Sequence, residues 1–182
     1  MQLLPLTEAQ LNVWFHQQLD PKAVGYNIGQ SIRFKGRLDL ERLAFAQQAV
    51  IERFDNLRCR FVVINSQPFQ FIEQQRQACS KAWDVRTERD PEAAAKTLIA
   101  EQFSQYFDLE KDPLCRFGLI QLADDEWEWF WVTHHIINDG WGWQVSMQYM
   151  AEVYLKPEVA TQAVLVTWAK VVGESQAYRT SA

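Results

Sequence analysis

Cysteine is scarce in this chain, with three residues among 182, at positions 59, 79 and 115. The number is odd, the spacing is wide and no Cys-x-x-Cys pair exists. Neither a disulfide framework nor a zinc site is indicated, and a reduced, cytoplasmic compartment is expected. Long apolar runs are missing too. None approaches the ~18–20 residues of a membrane span, and polar residues break the N-terminus too early for a signal peptide. Basic residues do not dominate: 18 Lys and Arg against 23 Asp and Glu leave a net charge of -5. Without a dense basic patch, nucleic acid is not the expected partner. No repeat, low-complexity tract or long linker divides the chain. What is plentiful is aromatic surface. Eight tryptophans and a hydrophobic share of 48% describe one globular domain with a proper core.

The chain is organised around Thr133-His134-His135-Ile136-Ile137-Asn138-Asp139-Gly140-Trp141-Gly142. Before it runs Trp127-Glu128-Trp129-Phe130-Trp131-Val132, aromatic and apolar enough for a central strand. After it, Trp143, Met147, Met150, Ala151 and Tyr154 fall at helical spacing. The reading is strand, turn, helix, with polar residues at the strand's end. Side chains alternate along a strand. Parity therefore places His135 with Trp127, Trp129, Trp131 and Thr133, and His134 with Glu128, Phe130 and Val132. Neighbouring strand residues diverge, whereas a metal needs converging ligands. The third histidine, His16, is distant in sequence, so no metal is expected. The tryptophan alternation reads as core, and Met147 and Met150 as helix packing.

Elsewhere the pattern alternates between helix and strand signals. Thr7 and Gln10 form a capping box for a helix burying Leu11, Trp14, Phe15 and Leu19. Residues 26–35 read as extended. Asp39 caps a helix with a stripe of Leu40, Leu43, Val50, Ile51 and Phe54. Residues 57–64 and 69–72 form a hairpin across Asn65-Ser66-Gln67-Pro68. Residues 73–89 carry no clear signal. Asp90-Pro91-Glu92 opens a third helix. Residues 115–122 and 127–135 pair across Ala123-Asp124-Asp125-Glu126. A last helix over residues 163–178 turns Leu165, Trp168, Val171, Val172 and Tyr178 inward. Without a regular βαβ beat, the expected fold is an α+β two-layer sandwich.

His134-His135-Ile136-Ile137-Asn138-Asp139-Gly140 resembles the His-His-x-x-x-Asp-Gly signature of condensation domains in nonribosomal peptide synthetases. Companion motifs follow in the family's order. Leu6-Thr7-Glu8-Ala9-Gln10 with Trp14 resembles the Ser-x-Ala-Gln motif, Thr7 replacing Ser and Asn12 the usual Arg. Arg53-Phe54-Asp55-Asn56-Leu57-Arg58-Cys59-Arg60-Phe61 matches Arg-His-Glu-x-Leu-Arg-Thr-x-Phe at both arginines, the Leu and the Phe. It departs at Phe54, Asp55 and Cys59. Tyr26-Asn27, Gly36-Arg37-Leu38-Asp39, and Phe107-Asp108-Leu109 with Pro113-Leu114-Cys115-Arg116 also fit. The resemblance spans nearly the whole chain but only the first half of the family's domain.

The resemblance implies a chloramphenicol-acetyltransferase-like N-terminal subdomain over residues 1–182, with the C-terminal half absent from this chain. It implies amide-bond formation in secondary metabolite biosynthesis. An acyl group passes from a carrier-bound thioester to a carrier-bound aminoacyl amine. The start at Met1 is read as a donor carrier protein acting in trans; the acceptor carrier lies downstream. The 4'-phosphopantetheine arrives on those carriers and none is bound by this chain. The aromatic stretch before the His pair is closest to enterobactin-type siderophore synthetases. By match to the motif, His135 is the catalytic residue, acting as base or by positioning the amine. His134 packs and hydrogen-bonds. Asp139 is read as a buried acid paired with Arg58 or Arg53, since an unpaired one would cost on the order of several kcal/mol. Gly140 permits a tight backbone, and Trp141 lines the substrate channel. Two rivals remain open: a coenzyme-A-dependent acyltransferase of the same superfamily, and a non-catalytic half-domain that docks carrier proteins.

Overall fold

A computed structural model describes residues 2–161 and 167–180. Its helices begin where a side chain satisfies the first free amides. Thr7 caps α1 (Glu8–Leu19): its hydroxyl accepts from Gln10 N while Gln10 Oε1 accepts from Thr7 N, the reciprocal box expected from sequence. Asp39 caps α2 (Leu40–Arg53) and Asp90 caps α3 (Pro91–Ser104), with Pro91 in the first turn. Asp139 caps α4 (Gly140–Leu155). The last helix, α5, covers Trp168–Thr180.

The strands are β1 (Leu4–Pro5), β2 (Asn27–Lys35), β3 (Cys59–Ile64), β4 (Gln67–Ile72), β5 (Ser80–Asp84), β6 (Cys115–Ala123) and β7 (Glu126–His134). They make two sheets, one ordered β1-β4-β3 and one ordered β2-β7-β6-β5. The aromatic strand β7 is central, antiparallel to β2 and β6, while β5 lies parallel to β6 at the edge. Asn65 and Ser66 turn β3 into β4 with positive φ at both residues, 49° and 63°. That geometry matches the twist of the flanking strands.

Alternation along β7 decides what each face meets. Trp129 and Trp131 are buried beside Phe117, at 5.9 and 5.1 Å between ring centroids, and Trp131 meets Trp143 of α4 at 6.3 Å. The opposite face carries Phe130 and Val132. There α3 closes down, and Phe103 stands 3.1 Å from where a Cβ on Gly29 would sit, opposite Val132. Gly118 faces Phe130 across the ladder, and a Cβ on it would lie 2.0 Å from the ring. The aromatic row is therefore core, as the alternation requires.

Several expectations are corrected. Phe15 and Leu19 are not buried by α1; they are 59% and 84% exposed, and Gln17 is buried in their place. Leu40 is also outside the core, at 53% exposure. Leu57 belongs to a 3-10 turn over Asp55–Arg58, and the strand begins at Cys59. The unassigned stretch 73–89 contains β5, whose polar sequence suits an edge with little burial. Leu165 lies outside the described residues, as does the side chain of Tyr178.

Replacing Gly118 by Ala should cost about 1–3 kcal/mol through overpacking against Phe130. Urea denaturation of the two proteins measures it. A loss below about 0.5 kcal/mol would mean that Phe130 moves aside freely.

Candidate functional site

The site forms where β7 stops. Residues 134–137 leave the ladder without leaving a single one of their amide hydrogens unpaired. His134 N donates to Leu114 O at 2.9 Å, His135 N to Tyr26 O at 2.8 Å, and Ile137 N to His134 O at 3.1 Å. Ile136 N donates to the Nδ1 of His134 at 3.2 Å. Side chains from elsewhere hold the carbonyls. Gln10 Nε2 donates to Ile136 O at 3.2 Å, and Asn56 Nδ2 to Ile137 O at 2.7 Å. Ile136 and Ile137 are buried beneath the loop.

The two histidines have opposite environments. His134 is completely buried. Its Nδ1 accepts from Ile136 N, so the proton sits on Nε2 and is donated to Gln17 Oε1 at 3.2 Å. The Gln17 amide is oriented by its nitrogen, which faces the carbonyls of Asp20, Pro21 and Ala23. Tyr26 and Phe107 pack their rings on the imidazole. Burial first, and the neighbouring His135 second, push the His134 pKa down to about 4. His134 is a neutral structural imidazole at physiological pH.

His135 lies one residue past the strand. Its side chain is exposed. It lines a cleft of about 370 Å³ together with Gln10, Asn56, Asn138, Asp139 and Trp168. Asn138 is 6% exposed, and both polar atoms of its side chain lack a partner among the described residues.

Asp139 is not the buried ion-pair partner expected from sequence. It is exposed, its Oδ1 accepts Gly142 N at 2.7 Å, and it enters no ion pair among the described residues. Arg58 is turned elsewhere. It pairs with Asp55 at 2.6 Å and donates to the carbonyls of Ile51, Glu52 and Glu73. It thereby neutralises the negative end of α2. The Arg53 guanidinium lies 5.4 Å from the Tyr149 ring centroid. Gly140 has open space at its Cα and no unusual φ; at Gly142 a Cβ would stand 2.4 Å from Asn138 Oδ1, so the Asn138 side chain would have to shift. Trp141 is 74% exposed and outside the cleft lining.

Burial pushes the Cys59 and Cys115 thiols up, Cys115 to about 12, so neither supplies a thiolate at neutral pH. Among the described residues no cluster of His, Cys, Asp and Glu could hold a metal ion. No described helix is long and apolar enough to cross a membrane. Sequence reasoning missed Asn56 and Trp168 in the lining of this site, and Gln70, which lies behind Gln10 and bonds to it. A polar residue between Phe69 and Phe71 in a strand was the available signal for Gln70.

Two measurements check this assignment. His134 binds its proton less readily folded than unfolded, so stability is full above about pH 6.5 and falls as pH drops toward 4. The loss is on the order of a few kcal/mol, and in His134→Gln the slope of stability against pH should flatten over that window. Asp139→Ala should cost about 1 kcal/mol, the value of a helix cap, and the loss should depend only weakly on salt. A loss of several kcal/mol that shrinks with salt would restore the ion pair.

Comparisons with known proteins bear on the chain's family and fold. Malpibaldin synthetase of Mortierella alpina is 33% identical over 153 residues, covering 84% of this chain and 3% of that protein. Enterobactin synthase component F of Escherichia coli (strain K12) is 30% identical over 187 residues, covering 99% of this chain and 14% of that protein. A solved double mutant of the starter condensation domain of rhizomide synthetase, in complex with C8-CoA, superposes with a TM-score of 0.91 at 25% identity. It covers 98% of this chain and 42% of that one. The chain thus spans a small part of its curated relatives and less than half of the similar structure. Residues 1–182 match the family described as Condensation domain, and the chain belongs to the condensation-domain family.

Proposed function

We propose that this chain is the N-terminal half of a condensation domain that forms an amide in nonribosomal peptide synthesis, with His135 as its catalytic residue. The observation that carries the reading is the division of labour in the His pair. His134 is consumed by structure, while His135 presents an exposed imidazole to a cleft from a loop whose neighbours are pinned. Rigid support of an exposed functional group is what positioning catalysis needs.

The chemistry follows from an aminoacyl amine and a thioester, each carried on a phosphopantetheine arm by a partner carrier protein. The amine nitrogen attacks the thioester carbonyl, and the carbonyl electrons move to oxygen. That attack forms the C–N bond; collapse of the tetrahedral state restores the carbonyl and breaks the C–S bond, releasing a thiolate. His135 accepts a hydrogen bond or a proton from the attacking nitrogen, and the proton ends on the departing sulfur. One carrier protein supplies the acyl donor and another the acceptor amine. The second half of the domain completes the channel. A cytoplasmic setting and siderophore-type assembly are part of the reading, the latter supported by the alignment with enterobactin synthase component F over 99% of the chain.

A soluble acyl-coenzyme-A donor is the second reading, favoured by the C8-CoA complex of a similar structure. Kinetics in the intact domain separate the possibilities. His135→Ala should slow condensation by about 10²–10⁴-fold, the range for loss of a general acid–base group, with the fold unchanged by circular dichroism. Full activity in that variant would remove His135 from the chemistry. Turnover with acyl-coenzyme A but not with a carrier-bound donor would select the second reading.

A further inference from the structure

Directly under the His135 loop lies a pair of buried glutamines from different elements, Gln10 of α1 and Gln70 of β4. Their carboxamides bond to each other in both directions. Gln10 Nε2 donates to Gln70 Oε1 at 3.0 Å, and Gln70 Nε2 donates to Gln10 Oε1 at 2.8 Å. The remaining valences reach outward. Gln10 Oε1 accepts Thr7 N and Gln10 Nε2 donates to Ile136 O, while Gln70 Nε2 donates to Pro5 O and Gln70 Oε1 accepts Trp168 Nε1 at 2.9 Å. Each carboxamide thus makes four hydrogen bonds: two donated, two accepted. Neither amide can flip without setting donor against donor.

We propose that Gln70 is a positioning residue for His135, acting through Gln10 and the Ile136 carbonyl, with Trp168 of α5 as its second anchor. This inference rests on the catalytic reading of His135 given above. Gln70 touches nothing in the cleft; its route to the imidazole is the Ile136–Ile137 peptide, one residue beyond His135. Trp168 is itself held twice, since its backbone N donates to Asp55 Oδ2 at 3.1 Å and Asp55 pairs with Arg58. The seating of α5 is thereby linked to the aim of the His135 side chain. Only a glutamine fits at position 70. A glutamate of the same shape offers no N–H to Pro5 O or Gln10 Oε1, and would bury a charge among acceptors.

The test uses NMR on the 182-residue chain, with the His135 imidazole assigned through His135→Ala and the Trp168 indole N–H through Trp168→Phe. In Gln70→Glu, both the His135 and Trp168 signals should shift, while the indole of Trp83 and the imidazole of His16 stay in place. Trp168→Phe should move the His135 signals in the same direction by less. A His135 spectrum unchanged in both variants overturns the proposal. Should Gln70→Glu fail to fold, Trp168→Phe and Gln70→Met decide by the same criterion. In the intact domain, Gln70→Met should lower kcat tenfold or more with KM within about twofold; an effect on KM alone would contradict positioning. If His135→Ala proves fully active, the catalytic reading fails while the NMR still judges the link.

Discussion

The neutrality of one buried imidazole underlies the site. His134 sits where a strand must become a loop inside the protein, and the amide hydrogen of Ile136 has no water to turn to. The Nδ1 lone pair of His134 takes that hydrogen, and Nε2–H is satisfied by Gln17. A protonated ring would lose its acceptor and place a charge among Tyr26, Phe107 and the strand ends. A side chain with one donor and one acceptor on opposite edges is what this junction demands. Because that junction is closed, His135 is the first residue free to face outward, and it does so from a fixed backbone.

Charge is arranged around this centre in an unexpected way. The arginine expected to neutralise Asp139 instead gathers three carbonyls and the Asp55 carboxylate around the end of α2. Asp139 is left to the start of α4, where a carboxylate meets the free amides and the positive end of the helix. α2 and α4 are thus each terminated by a charge of the sign that their dipole calls for. Asp55 does double duty, joining Arg58 to the first amide of α5.

Much of this was legible in the sequence because local rules and global packing agree. The capping boxes and the period-two aromatic row placed α1, α3 and β7 within a residue or two, and the order of motifs indicated the family. What was not legible depended on three-dimensional neighbours. Gln17 displaced Phe15 and Leu19 from the core because its amide faces three carbonyls that no periodicity reveals. β5 was invisible because an edge strand needs little apolar surface. The Asp139 pairing failed for another reason: a motif names residues together without stating which touch. Gly140 and Gly142 show the same limit, since only the position of Asn138 tells which of them has the tighter surroundings.

The edge of the larger sheet has a consequence of a different kind. β2 runs nine residues and, among the described residues, pairs on one side only, with β7. Its other side presents a row of backbone donors and acceptors to solvent, the template along which sheets extend themselves. Arg33, bound to Glu92 and Glu128, and Lys35, bound to Glu126, crowd charge onto one end of that row. The other end, around Gly29 and Gln30, carries no such guard. That unguarded stretch is where a further strand would add to this sheet, at a place remote from the His135 loop.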